Sequence, residues 1–124
     1  MVDEAIIVNW HEAVNTGDQE RAREAVSDPI VVSGPKGSQA ISAGDFTDWM
    51  IRSGVRLEPV NWHPVAESIA VVEQDATWPE TPEPVRVATV FRVDRERVSA
   101  ALRFPDVEQA LAFATLYAVL VETA

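Results

Sequence analysis

The segment Val85-Arg-Val-Ala-Thr-Val-Phe-Arg-Val93 carries the clearest structural signal in this chain. Side chains alternate between the two faces of a β-strand, and every second residue from Val85 to Val93 is apolar except one threonine. Arg86 and Arg92 fall on the opposite face. The pattern predicts a strand that buries one face and leaves the face of the two arginines in water.

Three further segments show the same two-residue period and are joined to this strand by short connections. Neighbouring strands with short connections pair as hairpins, so the sequence predicts an antiparallel sheet. A short β-branched strand is also expected at residues 30–33, followed by a turn at 33–37. The predicted strands of the sheet are residues 55–63, 68–78, 85–93 and 98–104, with turns at 64–67, 79–84 and 94–97.

Helices are predicted on both sides of this strand region. Residues 3–15 carry an apolar stripe at helical spacing, and residues 19–26 form a shorter helix that Pro29 stops. A third helix is expected between the cap Ser42 and Gly54, with Phe46 and Trp49 on one face. Asp106 caps a last helix that extends almost to the C-terminus. The stripe of the first helix consists of Ile6, Trp10, Ala13 and Val14.

Charge indicates which face of the sheet is buried. Glu73 and Asp75 alternate with uncharged residues along one strand, and burial of an unpaired charge is costly. We therefore expect the uncharged face to be inside, and the acids to pair across strands with arginines on the solvent face. The uncharged set is Val72, Gln74, Ala76 and Trp78, and the arginines are Arg86, Arg92 and Arg103.

The composition excludes several functional classes. The 124 residues include 20 acidic and 10 basic side chains, and the formal net charge is −10. A surface of this charge repels nucleic acid and anionic membranes, so we expect neither as a partner. The chain has no cysteine, which fits a reducing cytoplasm. Its opening residues are acidic, unlike a secretion signal, and its longest apolar run is too short to span a bilayer.

Two segments resemble a known family when they are taken with the order of the elements. They are Trp10-His-Glu-Ala-Val-Asn-Thr-Gly-Asp18, at the end of the first helix, and Val87-Ala-Thr-Val-Phe-Arg-Val93, followed after a turn by Arg97-Val98. The chain resembles the nuclear-transport-factor-2-like (NTF2-like) superfamily, in its SnoaL-like and ketosteroid-isomerase-like branch. This resemblance implies one cystatin-like α+β domain over residues 1–124. A curved antiparallel or mixed sheet is wrapped by the N-terminal helices into a cone that encloses a pocket, with an apolar C-terminal helix added. Many members form dimers.

The resemblance can be tested against the chemistry of the steroid isomerases. Their tyrosine donor aligns with Trp10, their protonated acid with Thr89, and their carboxylate base with Ser33-Gly34 or its surroundings. None of the three acid-base groups is present. Indole and threonine can donate hydrogen bonds but are not useful bases near neutral pH. The isomerase mechanism is therefore rejected for this chain.

Binding of a small apolar or aromatic molecule is the leading functional hypothesis from the sequence. Four tryptophans in a small domain provide large apolar walls with one hydrogen-bond donor each. No residue pattern indicates a cofactor, and the two histidines lack the spacing of metal ligands. The residues predicted to contact the ligand are Trp10, Val14, Trp49, Gln74, Trp78, Thr89, Phe91 and Phe104.

Two other functional classes stay open at this level. An isomerase, cyclase or hydrolase could use His63 or Glu73 as its base if that side chain faced the pocket, whereas His11 is expected to be exposed beside Glu12. Arg103 with Asp75 or Asp106 is a weak imitation of the Asp-Arg-Asp group of epoxide hydrolases. A cone filled by its own tryptophans would instead indicate a protein-interaction module.

The last helix is apolar on nearly every side between residues 110 and 121. A helix on the surface of a monomer does not normally expose such a surface, so another part of the structure should cover it. It could close the pocket with Phe113 and Tyr117, or it could pack against a second subunit. We favour the second alternative, a homodimer.

Overall fold

A computed structural model describes residues 2–34 and 37–123. These residues form four helices and six strands. The helices are α1 (Glu4–Thr16), α2 (Gln19–Ala25), α3 (Ala43–Ser53) and α4 (Val107–Thr123). The strands are β1 (Val26–Gly34), β2 (Gly37–Ile41), β3 (Arg56–Pro64), β4 (Ile69–Trp78), β5 (Thr81–Asp94) and β6 (Arg97–Phe104).

The six strands form a single mixed sheet in the order β2-β1-β6-β5-β4-β3. Neighbouring strands are antiparallel except β1 and β6, which are parallel. Helices α1, α2 and α3 pack on one face of the sheet, called the inner face here, and α4 packs on the outer face. The predicted α+β class, with a C-terminal helix added to a curved mixed sheet, is confirmed. No helix within the described ranges combines the length and the apolar character needed to cross a membrane.

The predicted helix caps are confirmed because they depend on local chemistry. The Ser42 hydroxyl accepts a hydrogen bond from the Asp45 amide at 3.0 Å, and the Asp106 carboxylate accepts one from the Gln109 amide at 2.8 Å. Gly54 ends α3 with a φ of 61°, a conformation that favours glycine. These short-range bonds set the ends of the helices independently of the remaining fold.

Several predicted boundaries are wrong at the edges of the sheet. β1 begins at Val26 rather than at residue 30, and α2 ends one residue before it. The sequence predicts no strand at β2, since its Gly-Ser-Gln residues show no alternation of apolar and polar side chains. β5 begins at Thr81, which pairs with Trp78, so the turn predicted at 79–84 is only two residues long. The turn predicted at 33–37 includes Pro35 and Lys36, which lie outside the described residues.

The middle of the sheet is covered on both faces, which corrects the prediction of a wet outer face. Val87, Thr89 and Phe91 are buried on the inner face, as the alternation predicted. Ala88 and Val90 are buried as well, because α4 packs over them. The predicted acid–arginine pairing is present where α4 does not cover the outer face: Arg86 Nε donates to Asp75 Oδ1 at 2.7 Å. Arg92, by contrast, is half-buried, and its Nε is unpaired among the described residues.

A β-bulge reverses the facing of β6. Arg92 pairs with Ala100 and Val93 with Val98, so Ser99 is one extra residue on its strand. An extra residue moves every later side chain to the opposite face. Arg103, predicted on the solvent face, therefore lies on the inner face, and Phe104, predicted in the pocket, packs under α4.

Candidate ligand-binding cavity

A cavity of about 360 Å³ lies between α3 and the inner face of the sheet. Its walls come from α1, from α3, and from every strand except β4. This volume falls within the range of small-molecule sites. The apolar side chains that line it are Trp10, Val32, Ile41, Phe46, Trp49, Leu57 and Ala101.

Aromatic rings form one wall of the cavity. The ring of Phe46 lies 6.1 Å from that of Trp10 and 5.8 Å from that of Trp49, measured between centroids. Behind this wall, Phe91 meets Trp10 edge-on at 4.9 Å. Such contacts hold the rings in defined orientations. The wall therefore presents a large and ordered apolar surface.

A chain of hydrogen bonds runs from the cavity into the core. Thr89 Oγ1 lies 2.6 Å from Gln74 Oε1, and Gln74 Nε2 lies 2.8 Å from His11 Nε2. His11 Nδ1 lies 2.8 Å from the carbonyl oxygen of Ile7. A carbonyl can only accept, so Nδ1 carries the proton and Nε2 of the neutral ring accepts from the Gln74 amide. Thr89 then donates to Gln74 and offers only its lone pairs to the cavity.

His11 is buried, which corrects the prediction that it is exposed. Its exposed fraction is 2%. The buried stripe of α1 is centred one residue further along than the sequence suggested, so that His11 lies four residues after buried Ile7. Burial lowers the pKa of His11 to about 4, because a buried charge loses its hydration. His11 is therefore neutral at physiological pH.

The two candidate bases lie on the outer face, away from the cavity. Glu73 and Gln74 are neighbours on β4, and Gln74 bonds to groups on the inner face, so Glu73 faces the other way. His63 Nε2 lies 3.1 Å from Glu73 Oε1. A bulge lies near Pro59, since the register of β3 shifts between Pro59 and Asn61.

The Asp-Arg-Asp arrangement is not assembled either. Asp75 pairs with Arg86 on the outer face, and Asp106 caps α4, whereas Arg103 lines the cavity. Among the residues described, no group of three or more His, Asp or Glu side chains could hold a metal ion. The polar side chains that do line the cavity are Ser33, Gln39, Asp45, Arg52, Thr89 and Arg103.

The structure brings together part of the predicted ligand set. Trp10, Trp49 and Thr89 line the cavity directly. Three others lie one layer behind: Gln74 bonds to Thr89, Phe91 packs on Trp10, and Trp78 lies under Arg103. Val14 is buried on α1 without lining this cavity, and Phe104 is on the outer face.

The lining residues that sequence reasoning missed are Phe46 and Arg103 above all. The sequence predicts Phe46 on the same helical face as Trp49, so the helical pattern could have identified it as a lining residue. Arg103 could not be identified, because the bulge at Ser99 changes the face on which it lies. The positions aligned with the isomerase residues all line the same cavity: they are Trp10, Ser33 and Thr89.

No protein-family model and no curated protein sequence matches this chain. Solved structures of other proteins have a similar fold. An NTF2-like protein of unknown function from Cytophaga hutchinsonii has a TM-score of 0.73 at 9% identity, over 89% of this chain and 96% of the other. The epoxide hydrolase/cyclase-like enzyme SalBIII, with a role in pyran ring formation in the polyether salinomycin, has a TM-score of 0.68 at 15% identity, over 82% and 88%.

A computationally designed 17-OHP binder is also similar, with a TM-score of 0.71 at 12% identity, over 85% of this chain and 92% of the design. Identities this low establish a shared fold rather than a shared activity. This chain thus has the NTF2-like, cystatin-like fold that the resemblance implied, and the fold places the cavity on the inner face.

Proposed function

We propose that this protein binds a small, mainly apolar molecule in the cavity between α3 and the inner face of the sheet. The observation that carries the proposal is the cavity itself, with its wall of Trp10, Phe46 and Trp49. Burial of apolar ligand surface supplies most of the binding free energy in sites of this kind. We also propose that the protein belongs to the SnoaL-like branch and forms one domain over residues 1–124. We propose the cytoplasm as its location.

A few polar groups would orient the ligand. Thr89 presents lone pairs and so accepts a hydrogen bond from a ligand hydroxyl or amide. Trp10 lines the cavity, and its indole N–H is buried without a hydrogen-bond partner in the described part of the chain. A buried donor of this kind is normally paired, but this N–H has almost no accessible surface, so the ligand would contact the Trp10 ring rather than its donor.

Catalysis by His63 or Glu73 has no support from their positions, because both lie on the outer face. The titratable side chains that line the cavity are Asp45, Arg52 and Arg103, and Asp45 is exposed on the first turn of α3. A cavity of this size also argues against a cone filled by its own tryptophans. Binding is therefore favoured over both alternatives.

The proposal is tested by titrating the protein with hydrophobic compounds, among them steroids and polyketide-like aromatics, while tryptophan fluorescence and thermal unfolding are recorded. A compound that occupies the cavity should change the emission of Trp10 and Trp49 saturably. It should also raise the melting temperature with a matching concentration dependence, since it binds the folded state alone.

Two tryptophans provide a matched comparison. Trp49→Phe should weaken binding and reduce the fluorescence change, whereas Trp62→Phe should do neither, because Trp62 does not line the cavity. Ala101→Leu should block binding by filling the space. The proposal fails if no compound binds, or if compounds bind Ala101→Leu as tightly as wild type.

We further propose that α4 mediates a homodimer. Its alanines at 110, 114 and 118 pack on the outer face of the sheet, which leaves the opposite side of the helix uncovered. Leu116 and Leu120 are 58% and 57% exposed, and Phe113 lies on the same side at helical spacing. A continuous apolar strip of this kind is typical of an interface between subunits. The rings of Phe113 and Tyr117 pack against one another in a tilted arrangement, and neither residue lines the cavity.

Sedimentation velocity over a range of concentrations checks this prediction. The wild type should sediment as a dimer, and Leu116→Glu with Leu120→Glu should shift it to a monomer, because two charges cannot be buried at the interface. Ile51→Glu, at a similarly exposed site on α3, is the matched control and should leave the dimer intact. A monomeric wild type would refute the proposal.

A further inference from the structure

We propose that the ligand carries an anionic group, most simply a carboxylate, and that the Arg103 guanidinium is its charge partner. This inference rests on the proposed function and narrows the class of molecule that the cavity takes. The ligand would be an amphipathic acid, with its apolar body on the aromatic wall.

The charge at the cavity is opposite in sign to that of the chain. The chain has a formal net charge of −10. Of the described charged side chains that line the cavity, Arg52 and Arg103 are basic and Asp45 is acidic. A cationic lining in an acidic protein provides local attraction for an anion that the remaining surface would repel.

Arg103 has no carboxylate within ion-pair distance in the described ranges, in contrast to Arg86, which pairs with Asp75 and Glu73 on the outer face. Nor does its guanidinium donate a hydrogen bond to any described residue. The guanidinium carbon Cζ of Arg103 lies over the Trp78 ring, 5.7 Å from the ring centroid. A cation–π contact of this kind uses no hydrogen-bond acceptor, so the guanidinium N–H groups keep their capacity to donate to a ligand.

The backbone of Arg103 is held firmly. Its amide donates to Ser33 Oγ at 2.7 Å, and it pairs across the ladder with Thr89. Burial lowers the pKa of Arg103, since no anion offsets the lost hydration of the charge. Buried charges in proteins are normally paired, and a planar guanidinium edge matches a carboxylate with two parallel hydrogen bonds. A ligand carboxylate would supply the missing pair.

The apolar part of the wall argues for an amphipathic acid over a small inorganic ion. Phe46, Trp49 and Leu57 face the same space as Arg103, and an inorganic ion would leave them in contact with water. An aromatic or alicyclic carboxylate satisfies both halves of the cavity. Rigid bicyclic acids are therefore suitable probes.

Matched pairs of acids and primary amides test the inference, because each pair shares one apolar skeleton. The probes are 2-naphthoate with 2-naphthamide and biphenyl-4-carboxylate with its amide, titrated by calorimetry near neutral pH. The acids should bind wild type about tenfold more tightly than the amides. Arg103→Gln should abolish that preference and leave amide binding nearly unchanged. Arg86→Gln removes an equal charge from the outer face, away from the cavity, and should retain the preference.

The Nε–H signal of Arg103 in a proton–nitrogen correlation spectrum gives a second readout, which is recorded on the wild-type protein. It should shift on addition of an acid and not of the matching amide. If Arg103→Gln does not fold, Arg103→Lys replaces it and should retain only part of the preference, since it keeps the charge without the planar fork.

The outcomes separate the two proposals. If acids and amides bind wild type equally, or if Arg103→Gln keeps the preference, the anionic ligand is wrong while binding in the cavity stands. If neither member of any pair binds and the wider panel of compounds also fails, the proposed function is wrong and this inference falls with it. If the wider panel binds and these pairs do not, only the anionic class is wrong.

Discussion

Acidification from about pH 7 to about pH 5 should cost the folded state roughly 2 kcal/mol through His11 alone. Burial lowers the pKa of His11 to about 4 in the folded protein, from 6.5 in the unfolded chain. Below pH 6.5 the unfolded chain therefore binds a proton that the folded protein does not. The stability that neutral His11 provides is complete above the unfolded pKa, is lost as the pH falls toward 4, and changes no further below that value.

Urea unfolding of wild type and His11→Gln at several pH values isolates this effect. The carboxylates and His63 are common to both proteins, so their contributions cancel in the difference between the two curves. Wild type should lose about 2 kcal/mol more than His11→Gln over this range. An NMR titration should show the His11 ring neutral in the folded protein at pH 5. Equal losses in the two proteins would contradict the prediction, as would a ring that titrates at its ordinary pKa.

Replacement of Gln74 by leucine should destabilise the fold by roughly 2–4 kcal/mol. Gln74 is fully buried, and its amide bonds to both His11 and Thr89. Leucine has a similar volume but leaves Nε2 of His11 and the Thr89 hydroxyl without these partners. A buried polar group without a partner bears its full desolvation cost, which exceeds the value of the bond itself.

A double-mutant cycle separates this cost from a change in packing. In a Thr89→Val background the Gln74→Leu substitution should cost less, because one of the two orphaned groups is already gone. Gln19→Leu at an exposed site on α2 is the matched control and should change stability by less than about 0.5 kcal/mol. The prediction is wrong if Gln74→Leu unfolds at the same urea concentration as wild type.

The buried His11–Gln74–Thr89 chain shows where sequence reasoning about the site stopped. Alternation predicts Gln74 and Thr89 on the inner face, and both lie there. It gives no sign of their partner His11, which lies 63 positions from Gln74 in the sequence and on a different element. An imidazole on α1 is recognisable as a core residue only once a strand supplies its hydrogen-bond partner.

Local chemistry is what the sequence determined by itself. Hydrogen bonds within three residues set the helix caps at Ser42 and Asp106, and alternation between faces identifies which side chains of β4 and of the central part of β5 lie on the inner face. These features depend on near neighbours, so a sequence specifies them before any long-range contact forms. The order of the central strands followed from the short connections between them.

The tertiary structure alone decided which residues of β6 meet the cavity. One extra residue at Ser99 exchanges the faces of Arg103 and Phe104, and that bulge exists only in the register of β6 against β5. The tertiary structure likewise decided that α4 covers the outer face, because the fit of its alanines against the sheet depends on both surfaces at once. Register and packing are properties of paired elements, which is why an alternating pattern in one strand cannot specify them.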